Sequence, residues 1–79
     1  MTAEERRGAV LAYVNDFWRR HHYSPSMAEI ADACRIPSTS VVRYTLAQLR
    51  KAGRLSYRDN VARSIVPAWV DRRLEREEA

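Results

Sequence analysis

Residues 26–42 read SMAEIADACRIPSTSVV. Ser26-Met27-Ala28-Glu29 has the S-x-x-E form of a capping box, in which serine hydroxyl and glutamate carboxylate satisfy each other's free backbone N–H. Ile30, Ala31 and Cys34 then supply a short apolar stripe. Arg35-Ile36-Pro37 breaks it, so this helix is expected to run only about nine residues. Ser38-Thr39-Ser40 offers three consecutive N-cap candidates for the next helix. Its Val42, Leu46 and Leu49 fall on one face at i, i+4 and i+7. Gly53 suits its stop, and Arg50 and Lys51 suit the negative end of its dipole. A short helix, a three-residue break and a serine-initiated longer helix match the DNA-binding helix-turn-helix.

The flanks complete the pattern. Upstream, Thr2 and Glu5 have the spacing of another capping box, and Val10, Leu11, Val14, Phe17 and Trp18 form one apolar face of a first helix. That helix should stop near His22, because Ser24-Pro25 disfavours helical backbone at Ser24. Gly8 sits inside it at a cost of about 1 kcal/mol relative to alanine, explained by close packing or by a frayed end. Downstream, the period changes to two. Leu55 and Tyr57 alternate with polar residues, Asp59-Asn60 signals a turn, and Ala62 to Val66 reads as a returning strand before Pro67. A lone hairpin is marginal in water, so Leu55, Tyr57 and Ile65, with Val66 as a further candidate, must pack on the helices. The expected fold is α+β, mostly α: a winged helix-turn-helix of three helices and a two-stranded β-hairpin wing. Residues 1–66 form that domain, and residues 67–79 form a short amphipathic or frayed helical tail carrying Trp69, Val70 and Leu74.

Composition narrows the function. The 79 residues make one small domain with a formal charge of +4, and 13 of the 14 basic residues are arginine. Arginine's planar fork suits phosphates and guanine edges. The excess sits in residues 23–53 and 54–66, each at +2, whereas residues 67–79 sum to −1. One cysteine makes neither an internal disulfide nor a cysteine-rich zinc site, and Cys34 reads as a small core residue. His21-His22 point about 100° apart on a helix with no third ligand nearby, so no metal or cofactor is expected. Nor is an enzyme: there is no nucleophile–base constellation, and Gly8 and Gly53 alone build no phosphate-binding loop. No run is long enough to span a membrane and the N-terminus is not of signal type, so a cytoplasmic protein of bacterial, phage or plasmid origin is expected.

Two elements carry a family resemblance. Tyr23-Ser24-Pro25-Ser26-x-x-Glu29-Ile30-Ala31, followed by Ser38-x-Ser40-x-Val42-x-x-x-Leu46-x-x-Leu49-x-x-x-Gly53, resembles the N-terminal DNA-binding domain of LexA-type repressors over about residues 4–66. The first element is the more specific; the second is common among winged helices. The resemblance implies a third helix in the major groove, with Ser40, Val41, Arg43 and Tyr44 as base-reading residues. It also implies backbone contacts from Ser38 and Thr39, and a wing, carrying Arg58, Asn60 and Arg63, on the backbone or minor groove. Many members have Leu-Gly-Leu at the turn. Here Cys34-Arg35-Ile36 requires Arg35 to turn left-handed or the turn to differ. The recognition surface is also this chain's own, so no operator is carried over. The self-cleaving serine–lysine domain of such repressors has no counterpart in these 79 residues.

Several residues keep two readings. Arg43 is the first choice for a bidentate guanine contact, against a phosphate contact or a solvated arginine. Tyr44 meets a phosphate or thymine methyl, or packs on the wing. Tyr23 and Ser26 touch the DNA backbone, or serve as an apolar staple and a cap. Trp18 and Trp69 read as core or tail-docking residues rather than stacking platforms. The resulting expectation is a sequence-specific double-stranded-DNA-binding transcriptional regulator, a repressor. It would pair as a homodimer on DNA, with Trp69, Val70 and Leu74 as dimerisation candidates. The alternative is a winged-helix protein-interaction module, a small phage or plasmid factor binding polymerase or another regulator, anchored by Trp69 or Tyr44.

Overall fold

The computed structural model describes residues 1–70. It contains α1 (Ala3–His21), α2 (Met27–Ala33), α3 (Thr39–Lys51), β1 (Leu55–Ser56) and β2 (Val66–Pro67). Ala68, Trp69 and Val70 are helical at the end of the described residues. The strands pair antiparallel, Leu55 opposite Pro67 and Ser56 opposite Val66. This is a winged helix-turn-helix.

Each helix ends on local chemistry. Thr2 Oγ1 accepts from the Glu5 N–H at 3.1 Å, so the hydroxyl half of the first capping box forms, without its reciprocal. The Ser26–Glu29 box forms in full. α1 stops at a left-handed His22, whose N–H reaches the Trp18 carbonyl. α2 spans seven residues, shorter than expected, because it closes early. The Ile36 N–H bonds the Ala31 carbonyl at 2.8 Å and the Arg35 N–H bonds the Asp32 carbonyl at 3.3 Å, with Arg35 at φ 56°. These two bonds make a Schellman motif on a non-glycine residue. α3 ends the same way, with Arg54 on Leu49, Gly53 on Arg50, and Gly53 at φ 75°.

The three helices enclose one core. Val10 and Val14 of α1, Ile30 of α2, Val42, Leu46 and Leu49 of α3, and Cys34 and Ile36 of the turn are buried together. Leu55 and Ile65 close it from the wing. Burial pushes the Cys34 thiol up, which keeps it protonated and inert, as befits a small core residue. Gly8 is not a packing glycine: a Cβ there would meet nothing within 4 Å.

The wing departs most from expectation. Only two residues pair on each side, and Ala62 to Ile65 is not strand. Left-handed Asn60 and Arg63 interrupt the alternation. The returning backbone is also claimed elsewhere: Ile65 N–H donates to Ser24 Oγ at 3.0 Å, and the Ile65 carbonyl accepts from Trp18 Nε1 at 2.7 Å. Those groups bond the α1–α2 region and so are not free to extend the ladder.

Candidate nucleic-acid interface

α3 buries Val42, Thr45, Leu46 and Leu49 against the core. Helical spacing therefore turns Ser40, Arg43 and Tyr44 outward together, and all three are exposed. Tyr44 is 61% exposed, which leaves its ring off the wing. Val41 is half-buried and packs on the core edge. Arg43 makes no hydrogen bond or ion pair among the described residues. Ser38 Oγ caps the helix through the Ser40 N–H at 3.1 Å, leaving Thr39 exposed in the first turn.

The wing is fastened at both legs by arginine. Arg50 of α3 reaches Asp59 at 3.2 Å and the Tyr57 carbonyl at 3.3 Å, and its guanidinium lies 4.1 Å from the Tyr57 ring centre. Arg63 returns to α2: it pairs with Glu29 at 2.8 Å, donates to the Ser24 carbonyl at 3.1 Å and lies over Tyr23 at 5.5 Å. Ser26 and Arg63 thus converge on one carboxylate, and the Ser26 backbone N–H, ahead of the Ser26 hydroxyl and Arg63, holds the Glu29 carboxyl below its ordinary range. Ser64 Oγ accepts from the Arg58 N–H at 3.0 Å and lies 2.9 Å from the Val61 carbonyl, which shapes the loop. Arg58 and Asn60 are exposed at its tip.

Of the expected site residues, Ser38, Thr39, Ser40, Arg43, Tyr44, Arg58 and Asn60 come to accessible positions on α3 and the wing. Arg63 is also exposed but is paired with Glu29, and the half-buried Ser26 caps α2. Tyr23 is half exposed, edge-on to Phe17 at 5.3 Å. Trp69 donates to Asn15 Oδ1 at 3.1 Å and lies under Arg19, while Val70 is buried. Leu74 lies outside the described residues.

Sequence reasoning missed a second basic surface. Arg7 of α1, Lys51 of α3 and Arg54 after it line a groove of about 840 Å³ that also includes Tyr44. The three cations come from opposite ends of the domain's sequence, and only the α1–α3 packing unites them. Sequence alone reads Arg50 only as a charge suited to the end of the α3 dipole, whereas it also holds Asp59 and Tyr57 of the wing. Among the described residues no His, Cys, Asp and Glu cluster could hold a metal, and no helix is long and apolar enough to cross a membrane.

The family model of the LexA DNA binding domain matches residues 2–64. The LexA repressor of Roseiflexus sp. (strain RS-1) is 40% identical over 60 residues, covering 76% of this chain and 28% of that protein. The LexA repressor of Corynebacterium diphtheriae is 38% identical over 61 residues, covering 77% of this chain and 26% of that protein. LexA repressor 2 of Pseudomonas syringae pv. tomato is 36% identical over 64 residues, with coverages of 81% and 32%. The chain thus matches less than a third of the length of these relatives.

Proposed function

This chain belongs to the LexA DNA-binding domain family, and from that premise we propose that it is a sequence-specific double-stranded-DNA-binding transcriptional regulator, acting as a repressor in the cytoplasm. The DNA-binding unit is residues 1–66, buttressed by residues 67–70. α3 enters the major groove. Ser40, Arg43 and Tyr44 face base edges, with Val41 at their margin. Ser38 and Thr39, at the positive end of the helix dipole, meet phosphates. Arg58, Asn60 and Arg63 carry the wing to the backbone or minor groove, with Tyr23 and Ser26 touching the backbone beside it.

The observation that carries this reading is Arg43: an exposed guanidinium without a partner among the described residues, on the outward face of a helix whose other face is core. A helix this small covers few bases, so two copies bind adjacent half-sites. Trp69 and Val70 are taken up by their own chain, so this pairing is set by DNA spacing rather than by those side chains. The protein-interaction reading loses Trp69 as a free anchor for the same reason.

Selection from random duplexes, followed by sequencing, tests the proposal. A palindromic or directly repeated motif is expected. Recovery of no motif, together with a stoichiometric protein partner in a pull-down, would replace it with the interaction-module reading.

A further inference from the structure

α3 has two flanks. Arg43 and Arg50 lie toward the wing, since Arg50 is bound to Asp59. Tyr44, Gln48 and Lys51 lie on the other side and line the groove shared with α1. Three cations, Arg7, Lys51 and Arg54, face one acid, Glu4, in that groove. Gln48 links its walls: it accepts from Arg7 at 3.5 Å and donates to the Tyr44 hydroxyl at 3.4 Å. Gly8 also lines the groove. It lies in the body of a helix, where glycine is costly, and nothing in the fold occupies the space before it. Packing therefore does not account for the missing side chain, whereas close approach of an outside backbone does.

We infer that this groove binds the phosphodiester backbone of the DNA strand bordering the major groove on the side away from the wing. The inference rests on the reading of α3 as the helix that enters that groove. The occupant is fixed by charge, three cations against one acid, and by continuity, since Tyr44 belongs both to the outward face of α3 and to the groove edge. A major groove is walled by two backbones. The wing meets one, and Arg7, Lys51 and Arg54 meet the other.

The test is a salt titration of duplex binding with a selected site, using the full chain. Arg7→Ala, Lys51→Ala and Arg54→Ala should each weaken binding by about tenfold at low salt, equally on specific and unrelated duplexes. Removing one phosphate-neutralising side chain should flatten the slope of log K against log salt by about 0.9. Arg20→Ala, at the far end of α1, serves as the control for net charge and should leave the slope unchanged. Gly8→Ala removes no charge. It should raise the melting temperature yet weaken duplex binding, a combination that a purely structural role does not produce. If the wild-type chain binds no duplex, the DNA-binding reading itself falls. If it binds while the groove variants keep its slope and Gly8→Ala keeps its affinity, the groove assignment is overturned, and an acidic protein segment becomes its occupant.

Discussion

Ser24 holds the wing to the helices through one oxygen. Its Oγ accepts from the Ile65 N–H at 3.0 Å and donates to the Pro25 carbonyl at 2.8 Å, in a buried setting. Ser24→Ala would leave the Ile65 N–H buried and unbonded, a loss of about 1–3 kcal/mol. Chemical denaturation should show it as a lower midpoint at unchanged slope; a midpoint within error of wild type would mean that water or a shifted backbone replaces the hydroxyl. Arg43 is the opposite kind of residue, exposed and without partners among the described residues, so its truncation should cost no stability. In the DNA-binding reading, Arg43→Ala relaxes preference at one base position by about 1–3 kcal/mol of discrimination. The selected motif should lose information at that position alone. An unchanged motif would remove Arg43 from base reading.

At the scale of elements, α2 and α3 end in the same bonding pattern on different residues. Gly53 takes φ 75° without strain, whereas Arg35 takes φ 56° against its Cβ. The left-handed penalty of roughly 1–2 kcal/mol, less the extra unfolded-chain entropy of glycine, leaves Arg35→Gly stabilising by about 0.5–1 kcal/mol. Thermal unfolding should shift upward; a downward shift would mean that the Arg35 side chain contributes more than its backbone costs. This turn was legible in the sequence because its causes are local: Pro37 breaks the helix, and Ile36 must reach the core. The cap at Ser26 was legible for the same reason, since serine and its target N–H lie three residues apart, whereas Ser38-Thr39-Ser40 offered three candidates from which the structure selects Ser38. The wing was not. The period of Leu55 and Tyr57 marked a strand of which only Leu55–Ser56 forms, and the partners of Ile65 are Ser24 and Trp18, more than 40 positions away. Strand propensity carries no record of such competition. Arg63 shows the same limit: its position beside the wing turn gave no sign of its carboxylate partner, which lies in α2.

Across the whole molecule, the wing is held by side chains rather than by a long sheet. Four residues of ladder do not fix it alone; the Ser24 and Trp18 bonds to Ile65 act with the ion pairs Arg50–Asp59 and Arg63–Glu29. Glu29 is the junction, because the same carboxylate caps α2 through the Ser26 N–H at 2.8 Å and holds Arg63 at 2.8 Å. Its folded pKa lies below the unfolded value. The unfolded state therefore binds the proton first, and stability falls as pH drops. The contribution is fully present at neutral pH and is lost as pH passes down through the ordinary glutamate range, near about 4.3, to the depressed folded value. Glu29→Gln removes the titration while keeping the shape of the side chain. The variant should be less stable than wild type at about pH 7, and the two should converge as pH falls through the ordinary glutamate range toward the depressed folded value. Urea midpoints measured in small steps from neutral pH down to roughly pH 3.5 check this. Parallel curves over that range would mean that the carboxylate's charge does not hold the wing, and that the Ser24 and Trp18 bonds to Ile65 suffice.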